Sequence, residues 1–506
     1  MDTNFYDVVV CGSELAGLVA AALLGRRGFR VLLVGHDADR ASFEAGGHVL
    51  AREPGLLPPL ETTAVARVLQ ELNYVQILRR RAPAPTPSFQ VAFPHHRIDV
   101  TADSAALGRE LERELPADRA AIEAALARLA GASATLDPLL GSEVTLPPDG
   151  FWERREVARF ESLLPAGGAD LLAPLPQGHL FRAAIAAPAA FLGGFGPGDL
   201  GTLGQARLFD VARRGLHHLA GGYAALRALF TDKVGSYAGE IREKVTPVEI
   251  VQKRARAVGI RVRPRDETIG CSHLLWAAPL ADMLHLSGDK PPSRKLRDES
   301  AGLRPACYRY SLCMLLRPEA IPEGMSRLVY AVRDPTRPLI EENAFAVTVG
   351  EPAARAADKI PVWVQCLVPG AAVDAGPGYL GALRGRLRGQ VARLLPFFAR
   401  HLIVLASPHD GLPPELPGGR AAAAPATPVP AQPMAAVYSS DLPRALDVGG
   451  APHATGIKNL YLIGRENLPG LGVEGELISA WSVARSISAS QPKRDLLRRE
   501  VLLDEG

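Results

Sequence analysis

Apolar positions fall into two rhythms along this chain. Tyr6 to Cys11 (YDVVVC) and Arg30 to Val34 (RVLLV) are short apolar runs, the pattern of strands buried on both faces of a parallel sheet. Between them, Ala16 to Leu24 is small and apolar, which predicts a helix packed close on that sheet, and Gly28 ends it. Residues 6–34 therefore read as strand, tight turn, helix, strand. From Ser104 the spacing becomes helical to about residue 142, with Pro116-Ala117-Asp118 supplying a break and a fresh N-cap. Residues 143–215 are rich in Gly and Pro with short helical pieces, and read as a helical cap rather than a sheet.

A helix is expected after Gly221-Gly222, then short strands and turns to residue 278. The runs YRYSLCMLL, MSRLVYAV, AFAVTV and VWVQCLV within residues 305–370 predict an antiparallel sheet. Residues 378–403 read as helical, and 411–433, rich in Pro, Ala and Gly, as a long loop or linker. The segment KNLYLIGRENLPGLGVEGELISAWSVARSI returns to strand, turn, helix. No internal repeat is present.

The length of 506 residues suits two or three domains, or one large nucleotide-binding domain carrying an insertion. A net charge of +3 does not point to nucleic acid, and the basic runs Arg79-Arg80-Arg81, Lys493-Arg494 and Arg498-Arg499 read as solvated surface. Five cysteines without a CxxC pair or metal spacing indicate reduced thiols and a cytoplasmic location. The start, MDTNFYDVVV, has no basic n-region, so no signal peptide is expected. The nearest approach to a membrane span, Ala183 to Gly198, is short and broken by Pro188; it leaves open only a peripheral contact at the inner face of a membrane. His95-His96 and His217-His218 are adjacent pairs whose side chains diverge, so no metal site is expected. No GxSxG, HExxH or paired-carboxylate motif occurs. Tyr308 and Tyr310 read as a packed sheet face, with a cavity wall as the alternative.

The turn after the first strand, Gly12-Ser13-Glu14-Leu15-Ala16-Gly17, carries the candidate chemistry. In a dinucleotide site the first glycine makes the turn, the second lets backbone approach the pyrophosphate, and the third lets helix and strand pack. The free N–H groups of the helix then face the phosphates.

Together with two later segments, this turn resembles the flavin-dependent phytoene desaturase and amine oxidase superfamily, the phytoene desaturase and retinol saturase branch above all. The matching residues are Gly221-Gly222, Gly239-Glu240-Ile241, Val248 to Ile250, Gly259-Ile260, Leu274 to Pro279, and the segment from Gly464 through Pro469, Gly470 and Gly472 to Gly475. The resemblance covers most of the chain. It implies an α/β fold: a Rossmann-like FAD-binding domain of the glutathione-reductase type, with an inserted substrate domain of antiparallel sheet plus helical cap. The FAD-type domain would comprise residues 1–75, 216–285 and 436–490, the substrate domain 76–215 and 286–435, and a tail 491–506. It further implies that FAD is held by Gly12, Ser13, Glu14, Ala16, Gly17, Val248, Gly464, Arg465, Gly472 and Val473. The activity implied is hydride transfer between the flavin and a bulky apolar, polyene-like substrate; no catalytic residue is singled out.

Three departures fall on the nucleotide contacts. Glu14 stands where the glycine nearest the pyrophosphate is usual, and two unit charges ~4 Å apart repel by about 4 kcal/mol at an effective dielectric of ~20. Gly35 stands where an acidic residue holds the ribose, with Asp37 two residues out of register. The position of a further GGR turn is taken by Ala41-Ser42-Phe43, and Gly46-Gly47 comes about five residues late. Arg465 would offset Glu14 if the two approach. FAD is thus set against a second reading: a flavin-free homologue that binds an apolar ligand or a protein partner, as escort or scaffold.

Overall fold

The computed structural model of the chain describes residues 4–36, 41–162, 170–288, 292–352, 357–374, 376–422, 431–441 and 444–490. Asp37 and the basic tail lie outside the described residues. The first strand, Phe5–Cys11, sits inside a seven-stranded sheet, parallel to Val31–Val34 on one side and to Glu267–Trp276 on the other. Glu240–Arg242 extends the sheet beyond Val31–Val34. Beyond Glu267–Trp276, the sheet continues in the antiparallel hairpin Thr246–Lys253 and Arg256–Arg263, and in the short parallel strand Leu460–Leu462. Three separated stretches of sequence thus build one sheet. The continuous apolar runs are explained by burial on both faces: Val8, Val9, Val10, Leu32 and Leu33 are all fully covered.

The helix Leu15–Arg26 lies on this sheet with every residue from Leu15 to Gly25 buried, and it ends as expected, the Gly28 N–H donating to the Gly25 carbonyl. The last helix, Gly472–Ala489, packs beside it. Gly46 and Gly47 form the two-residue turn of a hairpin between Ser42–Ala45 and His48–Ala51, with φ of +54° and +77°. That geometry suits a hairpin turn of the primed type, so the glycine pair is a turn and not a displaced nucleotide motif.

A second sheet has ten described strands centred on Leu303–Leu316, which pairs antiparallel with Ile360–Pro369, Leu402–Ala406 and Ala435–Ser440. One pair is parallel, Phe89–Ala92 with Leu328–Val332. Phe89–Ala92 and its partner Arg97–Val100 fall in the expected substrate-domain segment 76–215, ahead of its helical stretch, where no strand was read from the sequence. The helices described in that segment are Ser104–Glu114, Arg119–Leu140, Phe151–Glu161, Leu180–Leu192 and Thr202–Arg214. Asp103 caps the first of these through the N–H groups of Ala105 and Ala106. Asp118 stands at the start of the second, but its side chain makes no capping bond and faces His179 at 3.2 Å instead.

Candidate functional site: a cleft at the carboxyl ends of the parallel strands

Gly12 has φ +105°, and a Cβ there would lie 2.3 Å from the Ala277 carbonyl oxygen. A Cβ on Gly17 would lie 2.4 Å from the Gly12 oxygen. These two glycines let the first strand, its helix and strand Glu267–Trp276 close together. Above them opens a cleft of about 450 Å³, within the ~300–1,000 Å³ usual for small-molecule sites. Gly12, Ser13 and Glu14 form one wall, Ala277 to Leu280 a second, and Gly464, Arg465 and Glu466 a third. Leu284, Leu303, Tyr308 and Met434 supply apolar lining. His36 lines it too, its ring edge-on to Trp276 at 5.6 Å.

At the inner end stands Arg465. Its Nε lies 3.2 Å from Glu14 and 3.1 Å from Glu476, and its Nη2 lies 3.9 Å from Glu53. Glu14, and then Glu476 and Glu53, hold the guanidinium charged far above its ordinary range. Burial pushes the Glu476 carboxyl up to about 7, helped by Glu14 and Glu53 and opposed by Arg465. Burial also acts on Glu53, but Arg465, Arg52 and Arg309 outweigh it and hold that carboxyl below its usual range.

The first amide of helix Leu15–Arg26 is already engaged: the Leu15 N–H donates to the Tyr223 hydroxyl at 3.1 Å. On the facing wall Glu466 accepts from the Leu280 N–H at 2.8 Å and from the Tyr438 hydroxyl at 2.7 Å, and burial pushes its carboxyl up to about 7. A hydroxyl and a carboxylate of the chain thus accept from backbone amides that border the cleft.

Past Tyr223 and Tyr438 the cleft narrows into a chamber of about 90 Å³, bordered by Phe191, Arg309, Gln365, Gly472 and Val473. The start of the last helix is crowded from this side. A Cβ on Gly472 would lie 2.2 Å from the Leu192 oxygen, and the Gly194 N–H donates to the Pro469 oxygen at 2.7 Å. Glu474 is buried and gripped by both Nε (2.9 Å) and Nη2 (2.7 Å) of Arg207, which also reaches Asp137 at 2.9 Å.

Of the residues singled out in the sequence, Gly12, Ser13, Glu14, Gly464 and Arg465 line the cleft, and Gly472 and Val473 the inner chamber. Ala16 and Gly17 lie beneath, in the buried first turn of the helix. Val248 lies at an irregularity of the strand Thr246–Lys253 and borders neither cavity. Tyr308 lines the cleft, whereas Tyr310 is buried with its hydroxyl 2.8 Å from Asp410. Adjacent histidines part company: His217 contacts the Ala82 oxygen at 2.6 Å, and buried His218 is pushed down to about 3 by desolvation. Glu53, Tyr223, Tyr438 and Glu476 had no signal in the sequence, because tertiary docking alone brings them to Arg465.

No protein-family model and no curated protein sequence matches the chain. Solved structures do. An oxidoreductase from Methanosarcina mazei superposes with a TM-score of 0.60 at 15% identity, over 94% of this chain and 99% of that one. Putrescine oxidase, in a triple mutant made to redesign its cofactor binding, also gives 0.60 at 15%, over 96% and 99%. The chain has the fold of these oxidoreductases.

At such identities the likeness extends to the fold, and the cofactor must be judged on local residues. They do not fit a dinucleotide in the usual pose. Glu14, Arg465 and Glu476 fill the space before the helix, and its first amide has a protein acceptor, the Tyr223 hydroxyl. Among the described residues no acid stands at the end of Val31–Val34: a Cβ on Gly35 would lie 2.3 Å from the Glu243 oxygen, so that position admits no side chain without backbone movement. Replacing Gly35 by an acid, natural from the sequence alone, is therefore sterically closed.

Proposed function

We propose that this chain is a flavin-fold protein that has replaced the nucleotide's phosphates with its own charges, and that its cleft binds an apolar or amphipathic small molecule. The observation that carries the reading is the Glu14–Arg465–Glu476 cluster, with the Leu15 amide already bonded to Tyr223. Displacing it by a diphosphate would strand buried carboxylates beside new negative charge. The apolar lining suits a ligand with a hydrocarbon body, and the charged cluster at Arg465 a polar head. Such a protein would carry or present its ligand, alone or to a protein partner. Among the described residues no helix is long and apolar enough to cross a membrane, so any membrane contact in this reading is peripheral.

A second reading is favoured by the position of the cleft at the carboxyl ends of the parallel strands, the usual ligand site in such sheets. It is an FAD-dependent oxidoreductase resembling the phytoene desaturases, moving hydride between flavin and a bulky apolar substrate. An absorption spectrum of the purified protein, before and after excess FAD and gel filtration, separates the two. The first reading expects no retained flavin bands near ~370 and ~450 nm; retained bands would establish the second.

A further inference from the structure

A groove of about 820 Å³ lies elsewhere on the molecule and shares no lining residue with the cleft. Its rim is built from the hairpin turn at 93–97, the loop after strand Leu328–Val332, and the helix Pro377–Leu394. Four guanidiniums meet there: Arg97, Arg333, Arg337 and Arg393. Among the described residues none of the four has an ion pair. Two carboxylates also line the groove, and neither forms an ion pair with the four guanidiniums. Glu114 takes Arg113 at 3.3 Å, His96 at 3.3 Å and the Arg97 backbone N–H at 3.3 Å. Asp334 accepts from the Thr336 N–H at 2.9 Å and the Thr336 hydroxyl at 2.6 Å.

The loop that carries Arg333 and Arg337 is also held in shape. Buried Asn343 accepts from the Asp334 N–H at 3.1 Å and donates to the Asp334 and Pro338 oxygens at 3.1 and 2.9 Å. Asp334, Glu342 and Asp99 feel the charges of Arg337, Arg333 and Arg97 without closing an ion pair on them. A concave surface with four guanidiniums that no carboxylate grips, on a fixed frame, has the chemistry that recognises phosphate or carboxylate groups. From it we propose that this groove binds a small polyanion, one molecule carrying at least two phosphate or carboxylate groups. The volume lies in the small-molecule range, which favours such a ligand over an extended macromolecule.

The test is calorimetric titration of the full chain with tripolyphosphate, and separately with citrate, at low salt. Two charge reversals of equal size are compared: Arg333→Glu with Arg337→Glu in the groove, and Lys253→Glu with Arg265→Glu on the distant hairpin. The proposal expects saturable binding of at least one probe, weakened about tenfold or more by the groove pair, nearly unchanged by the hairpin pair, and reduced by added salt. Arg393→Gln, on a different element, should weaken the same binding by a smaller factor. Equal loss in both double variants would reduce the effect to bulk charge and overturn the proposal. So would binding of neither probe, including the case in which only a long polyanion such as RNA binds. Tripolyphosphate bound in preference to citrate identifies phosphate as the recognised group, and the reverse identifies carboxylate.

Discussion

Two arginines grip the last helix at residues two apart, and they do so in opposite ways. Arg207 is fully buried and saturated: two hydrogen bonds to Glu474, one to Asp137, and contacts to Ser133. Arg465, with 29% of its side chain exposed, is surrounded rather than bonded. Its Nε lies near Glu14 and Glu476 without hydrogen-bond alignment to either. The first arrangement is a strut tying the helical cap to the helix. In the second, one cation faces three acids, and Glu476 answers by holding its proton to about 7. The same residue types make a fixed joint where geometry completes them, and a responsive site where it does not.

The comparison can be broken most forcefully at Arg207. Arg207→Met leaves Glu474 buried without a partner and is expected to cost about 3–5 kcal/mol in urea unfolding near neutral pH. A loss below about 1 kcal/mol would show that the strut does not hold the cap. Arg465→Gln is expected to cost less, about 2–3 kcal/mol at pH 8, because Glu14 among its acids is half-exposed and stays solvated. The loss should shrink at pH 6, where Glu476 takes up a proton; equal losses at both pH values would show that the two groups are uncoupled.

The smallest effect tests the sign of that titration. Glu476 titrates near 7 in the folded chain against an ordinary 4.5, so the native state binds the proton more tightly. Its contribution to stability is present in full below pH 4.5, falls as pH rises towards 7, and is flat above that. Glu466 acts in the same direction. Glu476→Gln should therefore flatten the loss between those limits and leave the variant about 1–2 kcal/mol more stable than the parent at pH 8. An unchanged slope would place the titrating proton on Glu466 or elsewhere.

The main sheet was legible because its signals are local. YDVVVC and RVLLV announce buried strands by composition alone, and both pair as expected. Gly12 and Gly17 were legible for a subtler reason: packing against Ala277 and the Gly12 carbonyl requires them whether or not a nucleotide binds. A signature that survives for packing is a sound guide to fold and a poor guide to cofactor. The strand Phe89–Ala92 was missed because it sits in a proline-rich stretch and is completed by Leu328–Val332, far along the chain. At the site, complementary charge suggested the approach of Arg465 to Glu14, and the two do meet. The arrival of Glu53, Tyr223 and Glu476 depends on how helices and sheet dock, which no local pattern encodes.

The size of residue 35 is set by a neighbouring loop. The backbone after strand Glu240–Arg242 lies so close that the Glu243 oxygen stands 2.3 Å from where a side chain would begin. Any larger residue must therefore push that loop aside before its own chemistry can act in the cleft. The strand end works as a keyed seat: shape is read there before charge.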